Sequence, residues 1–206
     1  MRENITEKLF NYDLSIGVDG VAGIDEAGRG PLAGPVVTAC CMMPLDKMVD
    51  KINDSKKVSE KKREELFETI KQISSYSITI VDNEKIDEIN ILEATKYAMK
   101  KSLDDMPVRP SLVLVDAVKL DSDVPVVPLI KGDATSYNIA AASILAKVTR
   151  DRIMREMDEL YPEYGFAKNK GYGTKEHIDA LIKYGPCPIH RYSFIKNFIG
   201  KIYGNN

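Results

Sequence analysis

The sequence predicts an α/β fold ending in a helical portion, and three observations carry that prediction. Short apolar runs of strand length alternate along the chain with longer segments of helical period. Of the 206 residues, 44% are hydrophobic and 29% charged, the balance of a folded domain and not of a disordered, collagenous or coiled-coil chain. No internal repeat, low-complexity tract or long linker divides the sequence, so one unit spanning 1–206 is the economical reading. A chain this long buries roughly two thirds or more of its unfolded surface and needs no disulfide staples.

The elements follow in order. A first helix covers the start of the chain until Gly17 to Gly20 breaks it, and Val21 to Asp25 then reads as a short buried strand. Pro35 to Met43, continuously apolar, suits a strand covered on both faces. Ser59 is placed to cap a helix running to about Ser74, with Leu66, Phe67 and Ile70 as its apolar stripe. Tyr76 to Val81 alternates as a strand, and one helix is expected from about Glu84 to Asp105, ended by Pro107 and Pro110. Ser111 to Asp116 is the clearest buried strand, and a shorter one is expected near Pro125 to Leu129. A long helix starts near Thr135 or Ser136 and runs to about Leu160. Its Ala141, Ile144, Leu145 and Val148 pack, while Lys147, Arg150, Asp151 and Arg155 fall largely on the other side of the wheel. Two more helices, Thr174 to Tyr184 and Ser193 to Tyr203, each open with a capping residue.

The net charge is −2, but its distribution is uneven. From Tyr164 onward seven basic residues face only Glu176 and Asp179, so a basic end lies beside an acidic body. That pattern suits an anionic-ligand surface next to a carboxylate site, and equally a solvated helical face. The three cysteines, Cys40, Cys41 and Cys187, make neither a disulfide framework nor a zinc spacing and read as reduced thiols of a cytoplasmic protein. A charged N-terminus and the absence of any apolar run near 20 residues argue against secretion and against a membrane.

The informative chemistry is acidic. Asp25 and Glu26 end one apolar strand and Asp116 ends another, where a carboxylate resists ionisation unless a cation or donors stabilise it. Asp133, at a Gly-Asp turn before the long helix, is a candidate fourth, although alone it reads as a turn former or cap. Such oxygens are hard ligands suited to Mg²⁺ or Mn²⁺. With His177 and His190 the only histidines, a histidine-based zinc site is a weak competitor, and capping or packing accounts for each. Gly28-Arg29-Gly30 lets the backbone approach a ligand and offers a phosphate contact; by itself it reads as a tight connection between strands. It matches neither a dinucleotide fingerprint nor a P-loop.

Taken together, five segments closely resemble type 2 ribonuclease H, of the bacterial ribonuclease HII family. They are GIDEAGRGPLAGPVV at Gly23 to Val37, NDSKK at Asn53 to Lys57, LVLVDA at Leu112 to Ala117, KGDATSYNIAAASILAKVTRD at Lys131 to Asp151 and YGFAKNKGYGT at Tyr164 to Thr174. The resemblance implies an RNase H-like fold with a central mixed β-sheet flanked by helices, a core over about 20–160 and a helical portion over about 161–206. It implies that Asp25, Glu26, Asp116 and Asp133 hold divalent metal, Mg²⁺ or Mn²⁺; in a two-metal arrangement Asp25 is taken as the shared ligand. The implied activity is endonucleolytic hydrolysis of the RNA strand of RNA–DNA hybrids, cutting 5′ of a ribonucleotide to leave 3′-hydroxyl and 5′-phosphate ends. Incision at single ribonucleotides embedded in duplex DNA, the first step of ribonucleotide excision repair, is implied as well.

The same resemblance assigns the 2′-hydroxyl and adjacent phosphates to Gly28, Arg29 and Gly30, and the sugar 3′ of the ribonucleotide to Tyr172, which also bonds the 2′-hydroxyl. Without it, Tyr172 reads as a core or capping tyrosine. Lys56, Lys147 and Arg150 are expected phosphate contacts, with ordinary surface positions as the alternative, and the basic end is expected to make binding salt-sensitive. Ribonuclease HIII, another metal nuclease of the same fold, and a non-catalytic hybrid-binding module are the rivals. The GRG arrangement, and the little room before Val21 for the extra N-terminal domain of ribonuclease HIII, argue against the first, the GRG and GYGT pair against the second, and four phosphate-repelling acids against the third. A monomer is expected; no clamp-binding tail is evident after Asn197, and protein partners stay unassigned.

Overall fold

A computed structural model describes residues 4–202, without the side chains at 197–199 and 201–202. The expected end of the last helix at Tyr203, the Lys201 charge and the stretch after Asn197 thus lie outside the described side chains.

The chain runs α1 (Ile5–Ser15), β1 (Val21–Ala27), β2 (Val36–Met42), α2 (Glu60–Ile73), β3 (Ser75–Val81), α3 (Asn83–Ile89), α4 (Ile91–Asp104), β4 (Leu112–Asp116) and β5 (Val126–Leu129). Then come α5 (Tyr137–Leu160), a short α6 (Phe166–Asn169), α7 (Lys175–Tyr184) and α8 (Tyr192–Ile202). The strands form one mixed sheet in the order β3-β2-β1-β4-β5. The β1–β2 and β2–β3 pairs are antiparallel, while β1–β4 and β4–β5 are parallel. This is the central mixed sheet flanked by helices that the sequence leads one to expect.

Alternation within the strands decides which residues meet which helix. Val37, Ala39 and Cys41 of β2 face α5, joined by Leu66, Phe67 and Ile70 of α2 and Leu9 of α1. Ala22, Ile24 and Cys40 face the other way, against Met99 and Leu103 of α4 and Val113 and Val115 of β4. A sheet covered on both faces explains why these strands read as apolar runs. The start of α5 is buried all round, with Ala140, Ala141 and Ala142 each inaccessible, so it lies closer to the sheet than a helix of large side chains would.

Three expectations about helices change. The helix expected from Glu84 to Asp105 is two, because Asn90 takes φ 66°, breaks α3 and caps α4 by accepting from the Leu92 and Glu93 amides. Ser59 stands at the start of α2 but its side chain makes no capping bond. The start of α8 is capped from a distance, by Asp87 of α3 accepting from the Tyr192 and Ser193 amides. Ser136 does cap α5, accepting from the Ile139 amide at 3.2 Å. Asp13 of α1 adds to this cap, one of its oxygens accepting from Ser136 Oγ, the Asn138 amide and Asn138 Nδ2.

Candidate active site

Topology brings the acids together. β1 and β4 are parallel neighbours with Ile24 opposite Val115, so Asp25 and Asp116, each one residue further on, emerge at the same edge of the sheet. Asp133 lies on the 3₁₀ turn Gly132–Ala134 that leads into α5. That turn is tied to β4, because the Gly132 amide donates to Asp116 Oδ1 at 2.6 Å. The Glu26 amide donates to Asp25 Oδ1 at 2.8 Å, and Arg29 leans on Glu26 with 3.5 Å between Nη1 and Oε1. Lys56 is the cation nearest Asp133, its Nζ 3.9 Å from Oδ2, and is otherwise exposed.

The electrostatics report crowding. Burial, then the charges of Glu26, Asp116 and Asp133, push Asp25 well above the usual carboxylate range. Burial raises Glu26 against the opposing pull of Arg29. Asp133 is raised by burial, then by Asp54 and Asp116, with Lys56 opposing. Burial works against the Lys56 ammonium, but Asp133, Asp54, Asp25 and Asp116 outweigh it and raise its pKa. Glu26 Oε2 is buried without a protein hydrogen-bond partner.

Mutually repelling hard oxygens with one lone pair-bearing atom unused fit a divalent ion of the Mg²⁺ or Mn²⁺ kind. Among the described residues no three such side chains stand at an ion's ligand spacing. Bigger hollows exist, such as one of about 460 Å³ bounded by Lys100 and Asp123, but none of the four acids lines it.

Beside the acids lies a cleft of about 300 Å³ lined by Asp25, Glu26, Gly28, Arg29, Gly30, Lys56, Lys147, Arg150 and Tyr172. Its wall is the loop after β1. Gly28 takes φ 98°, and a β-carbon there would stand 2.1 Å from Arg150 Nε and 2.6 Å from the Pro35 carbonyl, so only glycine fits. Tyr172, half exposed, stands over Gly30 with Cε1 3.6 Å from where a β-carbon would be. Lys147 borders the cleft from α5 and is ion-paired with Asp151 of the next turn.

Arg150 departs from expectation. It is 1% exposed, and its guanidinium donates to the carbonyls of Pro35, Ala33 and Lys170, so it supports the loop and is not free to take a phosphate. Asp151 is buried too, hence this side of α5 packs and does not meet solvent. Arg191 likewise leaves the expected basic surface: fully buried, it donates to the carbonyls of Gly28, Arg29, Pro31 and Gly34.

Sequence reasoning passed over Asp13 and Asp54, and took Arg191 only as part of the basic end. Asp54 is buried beside Asp133, accepts from the Lys56 amide at 2.9 Å and so orients the turn that carries that lysine. Its signal was present in the NDSKK segment, where the lysines drew the attention. Asp13 and Arg191 act across more than a hundred residues of sequence and left no local signal.

Comparison with known proteins decides the family. The ribonuclease HII family model matches residues 22–197. The chain belongs to the ribonuclease HII family. Ribonuclease HII of Caldanaerobacter subterraneus subsp. tengcongensis is 57% identical over 198 residues, covering 94% of this chain and 82% of that protein. Among solved structures, ribonuclease H2 from Pyrococcus horikoshii OT3 is similar with a TM-score of 0.77 at 28% identity, over 90% of this chain and 99% of that one. The ribonuclease HII of a complex with PCNA from Archaeoglobus fulgidus is similar at a TM-score of 0.73 and 26% identity, over 90% and 98%. Ribonuclease HII proteins are nucleases, and this chain is an enzyme of that hydrolase class. No described helix is long and apolar enough to cross a membrane.

Proposed function

We propose that this chain hydrolyses the RNA strand of RNA–DNA hybrids endonucleolytically, and that it also incises duplex DNA 5′ of a single embedded ribonucleotide, initiating ribonucleotide excision repair. The products are 3′-hydroxyl and 5′-phosphate ends. One observation carries the reading: a single cleft is lined by Asp25 and Glu26 of the acidic cluster and by Gly28, Arg29, Gly30 and Tyr172. Cutting chemistry and a surface for one sugar are thus within one nucleotide's reach.

Asp25, Glu26, Asp116 and Asp133 would hold the divalent ion, Mg²⁺ or Mn²⁺, with Asp25 central because three other carboxylates act on it. When bound, the ion supplies the charge that offsets the phosphodiester and acidifies the attacking water. The protein groups do the rest. Arg29, 42% exposed at its side chain, is free at one edge to meet a phosphate while it steadies Glu26. The backbone at Gly28 and Gly30 reaches the 2′-hydroxyl, the group that distinguishes RNA from DNA at one position. The Tyr172 ring covers the sugar on the 3′ side, where a flat face accepts a deoxyribose. Lys56 and Lys147 contact flanking phosphates without reading bases.

In this reading the core and the helical portion act as one catalytic domain, since the acids come from the first and Tyr172 from the second. The enzyme works as a monomer in the cytoplasm, on hybrids and on ribonucleotide-containing duplexes. The test compares wild type with Tyr172→Ala on two substrates. Cleavage at a single embedded ribonucleotide is expected to fall at least about tenfold more than cleavage of a long hybrid, as the loss of one sugar contact selectively removes the junction. Equal losses on both would overturn the role of Tyr172.

A further inference from the structure

His177 of α7 and His190, on the segment between α7 and α8, are both buried and touch through their ring nitrogens, Nε2 to Nε2 at 3.0 Å. Their outer nitrogens settle which hydrogens they carry. His177 Nδ1 lies 2.9 Å from the Tyr172 carbonyl, which only accepts, so Nδ1 of His177 bears a hydrogen. His190 Nδ1 lies 2.9 Å from the Cys187 amide, which only donates, and 3.2 Å from the Cys187 carbonyl, which already accepts from the His190 amide at 3.0 Å; the shorter contact assigns a bare Nδ1 to His190. The hydrogen between the rings therefore sits on His190 Nε2 and is donated to His177 Nε2. The two imidazoles are neutral and opposite tautomers, and the chain of bonds runs one way, from the Cys187 amide to the Tyr172 carbonyl. Around the pair lie Cys187 Sγ, 3.1 Å from His190 Nδ1, and the edge-on rings of Tyr164 and Phe166.

The residue after His190 serves the opposite wall of the cleft. Arg191 donates its backbone amide to the Leu32 carbonyl at 2.8 Å and its guanidinium to the carbonyls of Gly28, Arg29, Pro31 and Gly34. A β-bridge between Ala33 and His190 locks the two segments together. The Tyr172 loop is also held before the tyrosine, where the Leu32 amide donates to the Gly171 carbonyl, Arg150 to the Lys170 carbonyl and the Gly171 amide to Asn169 Oδ1; from Tyr172 onward the Thr174 amide shares the Tyr172 carbonyl with His177.

We propose that His177, His190 and Arg191 form a positioning device that sets the Tyr172 ring at a fixed height over the Gly28-Arg29-Gly30 loop. His190 reaches Tyr172 through His177, and Arg191 holds the glycine loop from behind. Ribonucleotide specificity is then fixed by the gap between two walls that share the His190-Arg191 dipeptide as a support, beside the direct bond from the Leu32 amide to the Gly171 carbonyl. The inference rests on the reading of Tyr172 and the glycine loop as the ribonucleotide-sensing surface.

The experiment is a double-mutant cycle of His177→Phe and Tyr172→Ala on a DNA duplex with one ribonucleotide, beside a long hybrid. Phenylalanine keeps the ring packing against Tyr164 and Phe166 and removes the donor. In otherwise wild-type protein, His177→Phe is expected to lower kcat/KM on the single ribonucleotide about tenfold and on the hybrid less than about threefold; in the Tyr172→Ala background it adds less than about twofold. The same loss in both backgrounds would overturn the device while leaving Tyr172's role standing. If Tyr172→Ala itself costs nothing on either substrate, the sensing reading falls and the device with it. A second measurement needs no variant: long-range ¹H–¹⁵N NMR of the wild-type imidazoles is expected to show Nδ1–H in His177 and Nε2–H in His190 near pH 7. Identical tautomers, or an imidazolium in either ring, would overturn the chain.

Discussion

Gly23→Ala tests how the fold aims the acids. A β-carbon on Gly23 would stand 2.2 Å from the Ile139 nitrogen, 2.3 Å from the Asn138 carbonyl carbon and 2.7 Å from its oxygen. All three are backbone atoms of the start of α5, so no side chain can turn aside. Ordinary contact needs about 3.5 Å, hence β1 and α5 must part by about 1 Å. Asp25 lies two residues on from Gly23, on the same face of β1. The turn that carries Asp133 is tied to the start of α5 by the Thr135 and Ser136 amides, which donate to the Gly132 carbonyl. Parting the two elements therefore moves Asp25 away from Asp133.

Overpacking of this kind costs about 1–3 kcal/mol, a fall of roughly 3–9 °C in melting temperature for a chain this size. A 1 Å displacement at the reacting groups costs on the order of a hundredfold in rate. The assays are thermal melting and kcat on an RNA–DNA hybrid at saturating Mg²⁺. A variant that melts within about 1 °C of wild type and keeps a third of its rate would refute the claim that this contact sets the site.

The other perturbations separate charge, packing and protonation. Asp25→Asn should lower Mg²⁺-dependent cleavage by more than about a hundredfold, because the acid at the centre of the cluster is lost; a loss within about tenfold in initial-rate assays would remove Asp25 from that position. Arg150→Met should cost about 2–4 kcal/mol in urea unfolding by stranding three carbonyls, yet leave the log–log salt slope of hybrid binding unchanged; a slope smaller by about one would restore Arg150 as a phosphate contact. Burial, then the neighbouring His177, push His190 down to about 4 from 6.5, so between these pH values the unfolded chain binds more protons and stability falls as pH drops. The loss from pH 7 to pH 5 is about 2 kcal/mol. Comparing the pH dependence of wild type and His190→Gln isolates it, since the raised pKa values of Asp25, Glu26 and Asp133 act in the opposite sense. Parallel pH profiles of the two proteins would contradict a neutral, buried His190.

What the sequence revealed and what it hid divide along the range of the interactions. β4 was legible because Leu112 to Val115 is apolar without interruption, and the acids at its end and at the end of β1 stood out against that background. The start of α5 was legible because Ser136 and the alanine run are local signals. The split at Asn90 was not, since a residue at φ 66° sits inside an otherwise unbroken helical period. Arg150 misled because a helical wheel places a charge in solvent unless acceptors are known, and its acceptors come from residues 33–35 and 170. The histidine pair was invisible for the same reason: its meaning lies in the Tyr172 carbonyl and the Cys187 amide at its two ends.

The central claim is that one cleft both finds a ribonucleotide and cuts beside it. Incubating the enzyme with a DNA duplex that carries one ribonucleotide, with Mg²⁺, with Mn²⁺ and with chelator, and mapping the product ends at single-nucleotide resolution, tests it most directly. Metal-dependent incision on the 5′ side of the ribonucleotide, with a 3′-hydroxyl and a 5′-phosphate, is the expected result. Cleavage confined to continuous hybrids, or a cut that survives chelation, would contradict it.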